Sequence, residues 1–277
     1  QVKRFMLKAW IKIKKWQWVL VVFFSVAIIF LLVPFRRPYF SVDYSTVVKS
    51  DRGSLLHVFL NENEQWFLPP DTSAIPQKLE TAVLLYEDQD FYSHFGIDFG
   101  AVFRAINQNI KAARIVSGAS TLTMQVVRLK HQNKRNFFYK TLEAIEAIKL
   151  NLHYSKEEIL RMYLQHAPYG GNVIGYQTAT HKFFGKQIKS LTWSEAATLA
   201  VLPNAPGLIY PSKINNKLIE KRNSLLKKLY EKECIDKLTY ELSTLEAVPD
   251  DFIPFKSSAP HSASFLKTQY PDRKILH

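Results

Sequence analysis

Residues 87 to 98 read Glu-Asp-Gln-Asp-Phe-Tyr-Ser-His-Phe-Gly-Ile-Asp, a run of carboxylates and polar groups set beside aromatic rings. A second polar run, Gly-Ala-Ser-Thr-Leu-Thr-Met-Gln, occupies residues 118 to 125. Between Asp98 and Glu143 there is no acidic residue, whereas Arg104, Lys111, Arg114, Arg128, Lys130, Lys134, Arg135 and Lys140 all fall in that interval. So long a stretch of uncompensated cations calls for a strongly anionic ligand. With Glu87 and Glu143 flanking it, the chemistry that fits is glycosyl transfer on a phosphorylated sugar. A carboxylate takes a proton from a hydroxyl, and fixed cations meet a diphosphate that builds charge as it leaves.

These side chains work only if the backbone presents them together, and apolar spacing says how. After Pro76 the period turns helical: Leu79, Val83 and Tyr86 fall on one stripe, so Glu87 ends that helix, where a carboxylate can face a cleft. Asp98 is placed to cap a next helix carrying Phe103, Ile106 and Ile110. Small residues from Ser117 to Ser120 then interrupt the pattern and suit close ligand approach. A helix over 137 to 152 is expected to bury Leu142, Ile145 and Leu152, with Lys140 and Glu143 three apart on another face. Capping boxes at Ser155 with Glu158 and at Thr192 with Glu195 start two more helices, and Pro203 and Pro206 end the second. Tyr169, Gly170, Gly171 and Gly175 mark a turn between them, and Ile214, Leu218, Leu225 and Leu229 define a late amphipathic helix. Ahead of all this, residues 45 to 68 alternate like short strands joined by turns. From Val248 to His277 the chain reads as Pro-rich and irregular. The candidate catalytic region is therefore mainly α.

With 277 residues and 47% hydrophobic content, the chain can build one sizeable core plus appendages, which excludes disorder as its main state. A formal net charge of +13 fits nucleic acid, an anionic membrane surface or a phosphorylated substrate. No nucleic-acid-binding fingerprint accompanies it, so no nucleic-acid partner is expected. The single Cys234 precludes an intrachain disulfide, and no Cys/His cluster has metal-ligand spacing, so no metal site is assigned. Residues 18 to 35 carry no charge, close to the roughly 20 apolar residues that a bilayer-crossing helix needs. Six Lys/Arg precede this run and two follow, which puts the short N-terminus in the cytoplasm and the chain after Tyr39 outside. The alternative is a cleaved signal peptide, although the apolar run is long for one and no small-residue cleavage site follows it.

Four blocks over about residues 65 to 211 resemble, in motif order, glycosyltransferase family 51, the peptidoglycan glycosyltransferases. They are Glu-Asp-x-x-Phe-x-x-His-x-Gly from Glu87, Gly-Ala-Ser-Thr-Leu-Thr-Met-Gln from Gly118, Glu158-Ile159-Leu160 leading to Tyr163-Leu164, and Glu195-Ala196-Ala197 leading to Pro203. The Thr-Met-Gln variant and Ala259-Pro260-His261 look most similar to the 1C type of class A penicillin-binding protein. A transpeptidase domain follows in that type, and the expectation here is a fragment or a chain lacking that domain. The resemblance implies a lysozyme-like helical glycosyltransferase domain with a membrane-proximal jaw, preceded by one transmembrane helix and a short β connector. It implies polymerisation of lipid II with inversion and release of undecaprenyl diphosphate. Partners would be lipid II, the growing glycan strand, the membrane and other cell-wall synthesis proteins such as a transpeptidase. The place would be the bacterial inner membrane, single-pass, with the catalytic domain periplasmic. The expected organisation is a cytoplasmic basic tail (1–17), an anchor (18–38), a strand connector (39–70), the glycosyltransferase domain (71–247) and a C-terminal linker (248–277).

Residue by residue, the resemblance makes Glu87 the general base and Glu143 the second carboxylate. Gln125, Arg128, Arg135 and Lys140 match positions around the donor diphosphate, and Ser120 and Thr121 match the Ser-Thr pair of the second motif. No tightly bound cofactor is implied, and a divalent cation such as Mg2+ or Mn2+ at the diphosphate is compatible with it. Tyr139 stands where the Arg-Lys-x-x-Glu motif that ends on Glu143 has Arg, Asn151 where a Glu is usual, and Gln165 where an Asn is usual after Tyr-Leu. His94 lacks metal partners and reads as a structural brace for the Glu87 loop. Ser120 has no nucleophile elbow and no Lys three residues on, which argues against a serine acyl-enzyme. Two rivals stay open: a lysozyme-like peptidoglycan hydrolase, and an inactive membrane-anchored scaffold of the cell-wall machinery.

Overall fold

The computed structural model describes residues 2–71, 74–114, 118–132, 136–204, 216–255 and 257–277, with side chains from Gln17 onward, Phe137 excepted. It opens on a continuous helix, α1 (Val2–Leu32). From Trp18 to Leu32 almost all its large apolar side chains are exposed. Among the described residues no helix is long and apolar enough to cross a membrane, the described side chains of α1 starting only at Gln17. The alternating segment then forms a hairpin of β1 (Val47–Lys49) and β2 (Leu55–Val58), antiparallel with Val47 opposite Val58.

The helical region follows. Leu79, Ala82 and Val83 bury one face of α2 (Gln77–Glu87). Side chains cap the next helices as their sequences require. Asp98 accepts from Ala101 N at the start of α3 (Phe99–Ala112), Thr121 from Met124 N at α4 (Leu122–His131), and Asn136 from Tyr139 N at α5 (Phe137–His153). Both expected capping boxes form, at α6 (Lys156–His166) and at α8 (Trp193–Val201). Between those two lie the hairpin β3 (Pro168–Gly170) and β4 (Val173–Ile174) and the helix α7 (Tyr176–Phe184). The chain continues through α9 (Asn216–Glu231), α10 (Lys237–Leu245), α11 (Pro260–Gln269) and β5 (Ile275–Leu276). The protein is mainly helical. α2 packs on α8 and α9, and α4 packs on α5 and α6. Leu79, Leu122, Val126, Leu150, Leu164, Leu199 and Leu226 join these helices in one core. Each such side chain contributes about 1.5–3 kcal/mol relative to leaving it in water.

Two expectations, for the stripe of α5 and for the segment after Val248, need correction. On α5 the stripe of Leu142, Ile145 and Leu152 faces outward, each at least 44% exposed, while Glu143, Ala147 and Leu150 are buried. An ion pair draws Glu143 inward, so the buried face is not the most apolar one. The stripe of α3 is also outward: Phe99, Phe103, Ile106 and Ile110 are all at least half exposed. Finally, the segment after Val248 is not irregular throughout. β5 pairs in parallel with the free edge of β1, giving the sheet order β2-β1-β5, and Leu276 and Ala263 of α11 bury against Val48. Leu218, Leu225 and Leu229 do form the buried side of α9; Ile214 and Pro206 lie outside the described residues.

Candidate active site

Glu87 is the last residue of α2, and the turn after it is tied down at several points. Asp88 is buried; its carboxylate accepts from Leu122 N at 2.9 Å and from His94 Nε2, 3.0 Å from both oxygens. His94 thus braces the Glu87 loop as its lack of metal partners implied. The Thr121 hydroxyl donates to Gly96 O at 2.7 Å while accepting from Met124 N. Gly96 adopts φ +89°, and a Cβ there would meet Ala147 O at 2.6 Å. Only glycine lets this loop lie directly on the backbone of α5.

Glu87 itself is held on one side and open on the other. Gln125 Nε2 donates to its Oε2 at 2.8 Å, and the Asn204 side chain adds a second hydrogen bond. Oε1 is buried with no hydrogen-bond partner among the described residues. Burial raises the carboxyl pKa above its ordinary value, and the neighbouring Asp88 adds to the rise. The hydrogen bonds from Gln125 and Asn204 and the positive charge of Lys221 oppose it. A carboxylate made more basic in this way, with one unspent oxygen, is equipped to take a proton.

Glu143 has a different environment. Arg128 Nε lies 3.2 and 3.3 Å from its two oxygens and Nη2 lies 3.2 Å from Oε2, with the Glu143 side chain 3% exposed. Both oxygens are engaged by a fixed cation. Gln125 and Arg128 are three apart on α4, so one face of that helix reaches Glu87 with the first and Glu143 with the second. Half-buried Lys140 lies one turn before Glu143 on α5. Arg135 lies outside the described residues.

A cavity of about 390 Å³ opens beside Glu87, lined among others by Asp98, Arg104, Ser120, Thr121 and Lys228. Arg128, Lys140 and Glu143 are not part of its wall, so the two expected catalytic carboxylates do not share one cavity. Ser120 lines the cavity; the Thr121 hydroxyl, though on the wall, is spent on Gly96 and the α4 cap. Arg104 is partly neutralised there by Asp98, 3.4 Å away. Asn151, at the position where a Glu is usual, donates to Thr123 Oγ1 at 3.0 Å and to Ala147 O at 3.1 Å, joining α5 to α4. Among the described residues no three His, Cys, Asp or Glu side chains gather to hold a metal ion.

Sequence reasoning missed the setting of the base. Gln125 was assigned to the diphosphate, yet its amide holds Glu87. Asn204, Lys221 and Lys228 come from segments more than a hundred residues further along the chain, and Asn204 announces itself only by following Pro203 at the end of α8.

The transglycosylase family model matches residues 52–230. The chain belongs to the transglycosylase family. Penicillin-binding protein 1C of Escherichia coli (strain K12) is 35% identical over 192 residues, which is 69% of this chain and 25% of that protein. Penicillin-binding protein 1F of Bacillus subtilis (strain 168) is 37% identical over 185 residues, 66% of this chain and 25% of that protein. The crystal structure of penicillin-binding protein 1A from Haemophilus influenzae aligns with 83% of this chain and 24% of that one, at 20% identity and a TM-score of 0.44. The chain thus spans about a quarter of the length of the curated relatives it matches. Its transglycosylase domain contains Glu87, Gln125, Arg128 and Glu143, and it takes in β2 as well as the helices through most of α9.

Proposed function

We propose that this transglycosylase polymerises lipid II into glycan strands, with inversion at the donor sugar and release of undecaprenyl diphosphate. The observation that carries the reading is Glu87: buried, raised in pKa, held on Oε2 by Gln125 and with no partner on Oε1 among the described residues, at the edge of a cavity. In the proposed step Oε1 takes the proton of the acceptor 4-hydroxyl as that oxygen bonds to the donor anomeric carbon. The bond from that carbon to the diphosphate breaks on the opposite side, and the electron pair leaves with the diphosphate. A diphosphate is already a stable anion, so its departure calls for cations and not for a protonated acid. Lys140, Arg128 and Arg135 take that role. Product identity separates transfer from hydrolysis, because a buried carboxyl with a raised pKa such as Glu87 suits a general acid as well as a general base. A hydrolase needs a carboxylic acid to protonate an alkoxide, and Glu143, paired on both oxygens with Arg128, is poorly set to donate a proton.

We further propose a single-pass anchor in the bacterial inner membrane over residues 18 to 38, with the catalytic domain in the periplasm. The charge-free run, the Lys/Arg asymmetry around it and its exposed apolar side chains support this placement. So do the outward apolar stripes of α3 and α5. Gel separation of products from labelled lipid II in vesicles tests the reaction. A ladder of lengthening glycans is expected; unchanged lipid II, or cleavage of preformed glycan, would replace this reading with the scaffold or the hydrolase.

A further inference from the structure

The end of α1 is gripped by α5. Lys149, 7% exposed, stands with Nζ 4.2 Å from the Phe30 ring centroid and 4.6 Å from that of Phe35. Lys130 of α4 lies 3.7 Å over the ring of Tyr39, whose hydroxyl donates to Glu146 at 2.9 Å. His153 Nε2 donates to Leu31 O at 2.8 Å, satisfying a carbonyl that the end of α1 would otherwise leave unpaired. Arg37 then donates to His153 O at 2.8 Å, pairs with Glu158 at 3.2 Å and covers the Tyr154 ring. Each contact alone is weak. Together they join a helix end to the catalytic domain from several directions, which a flexible tether would not do.

α5 carries this grip and the donor cations at once. From Lys140 to Lys149 is nine residues, about 13 Å along the axis and half a turn around it. One flank of the helix therefore holds α1 while another holds Lys140 and the Glu143–Arg128 pair. We propose that Lys149, Lys130 and His153 are positioning residues that fix the donor site at one height above the bilayer. This rests on the membrane-anchored glycosyltransferase reading above. A lipid-linked diphosphate sits at the membrane surface and cannot move to meet its cations, so the cations must be held at its level. A soluble donor imposes no such demand.

The test compares wild type, Lys149→Met and Lys149→Arg, all as the full chain in phospholipid vesicles. Each is assayed on long-chain lipid II in the bilayer and on a short-chain, water-soluble lipid II analogue. The distance distribution between spin labels on native Cys234, which is exposed, and on Val19→Cys is measured in parallel. Lys149→Met is expected to lose about tenfold or more on the bilayer substrate while staying within about twofold on the soluble one. Its distance distribution broadens, and Lys149→Arg restores both readings. Equal losses on both substrates, or an unchanged bilayer rate, would overturn the proposal. If wild type polymerises neither substrate, the functional reading fails instead. The spin-label distances then decide the joint alone, a broad wild-type distribution overturning it and a sharp one that broadens in Lys149→Met upholding it.

Discussion

Glu87 draws its basicity from burial, and burial fixes the sign of its pH behaviour. Because its pKa in the folded protein is raised, the stabilising effect of its protonated form is present at pH below the unfolded carboxyl value and is lost as pH rises through the folded one. The rate should fall on the acidic side as Glu87 takes up its proton, with the limb above the ordinary carboxylate range. Gln125 supports the ionised form, so Gln125→Ala should move that limb to higher pH in a kcat profile; a limb that stayed put or moved down would show that Gln125 does not set the base. On the proposed reading Glu143, ion-paired with Arg128, acts through that cation and not on a proton. We expect Glu143→Gln to retain measurable polymerisation, reduced about 10- to 100-fold in steady-state assays, because a misplaced cation costs on that scale. The same variant should lower stability by about 1–3 kcal/mol in denaturant unfolding, towards the lower end because the Arg128 side chain is 26% exposed. Complete inactivity in a folded Glu143→Gln protein would mean that the carboxylate does chemistry itself.

At the scale of elements, the loop between α2 and α3 is what delivers Glu87, and it depends on its closeness to α5. Gly96→Ala places a methyl group 2.6 Å from Ala147 O at a positive φ, so it should cost about 1–3 kcal/mol or more in stability and most of the activity. Near-wild-type unfolding would show that the loop can stand away from α5 without loss. The outward stripes allow a different check. Phe103→Ser with Ile110→Ser on α3 should leave stability in detergent within about 0.5 kcal/mol, as surface changes do, yet reduce flotation with liposomes of a form lacking residues 1–38. Flotation equal to that of the unsubstituted form would remove α3 from the membrane-facing surface. These stripes also show where sequence reading stopped. Caps and helix starts were legible because Asp98, Ser155 and Thr192 act on backbone groups three residues away. The stripe of α5 was misjudged because periodicity says which residues share a face but not what lies opposite it, and there Arg128, fifteen residues upstream of Glu143, decided the matter. The pairing of β5 with β1 spans more than 220 residues and joins a two-residue strand to a three-residue one, too little pattern to read in advance. The Glu87 loop was legible through the order of its motif, whereas the supports from Asn204 and Lys221 exist only once α8 and α9 have packed on α2.

The whole molecule has three parts: an apolar helix with cations before and after it, a helical domain with a long cationic interval, and a cavity beside a carboxylate whose Oε1 has no partner among the described residues. α5 and α4 attach these parts to one another, as the proposed handling of a membrane-borne diphosphate requires. The central claim is that Glu87 is the base of a transfer reaction. Its most direct test measures lengthening of labelled lipid II together with release of undecaprenyl diphosphate, for wild type and Glu87→Gln in the same vesicles. Wild type should release one lipid diphosphate for each sugar unit added. Glu87→Gln, folded and with a higher melting temperature at neutral pH because a buried charge is gone, should lose about a thousandfold or more of both. Polymerisation by Glu87→Gln at a rate near that of wild type would contradict the account.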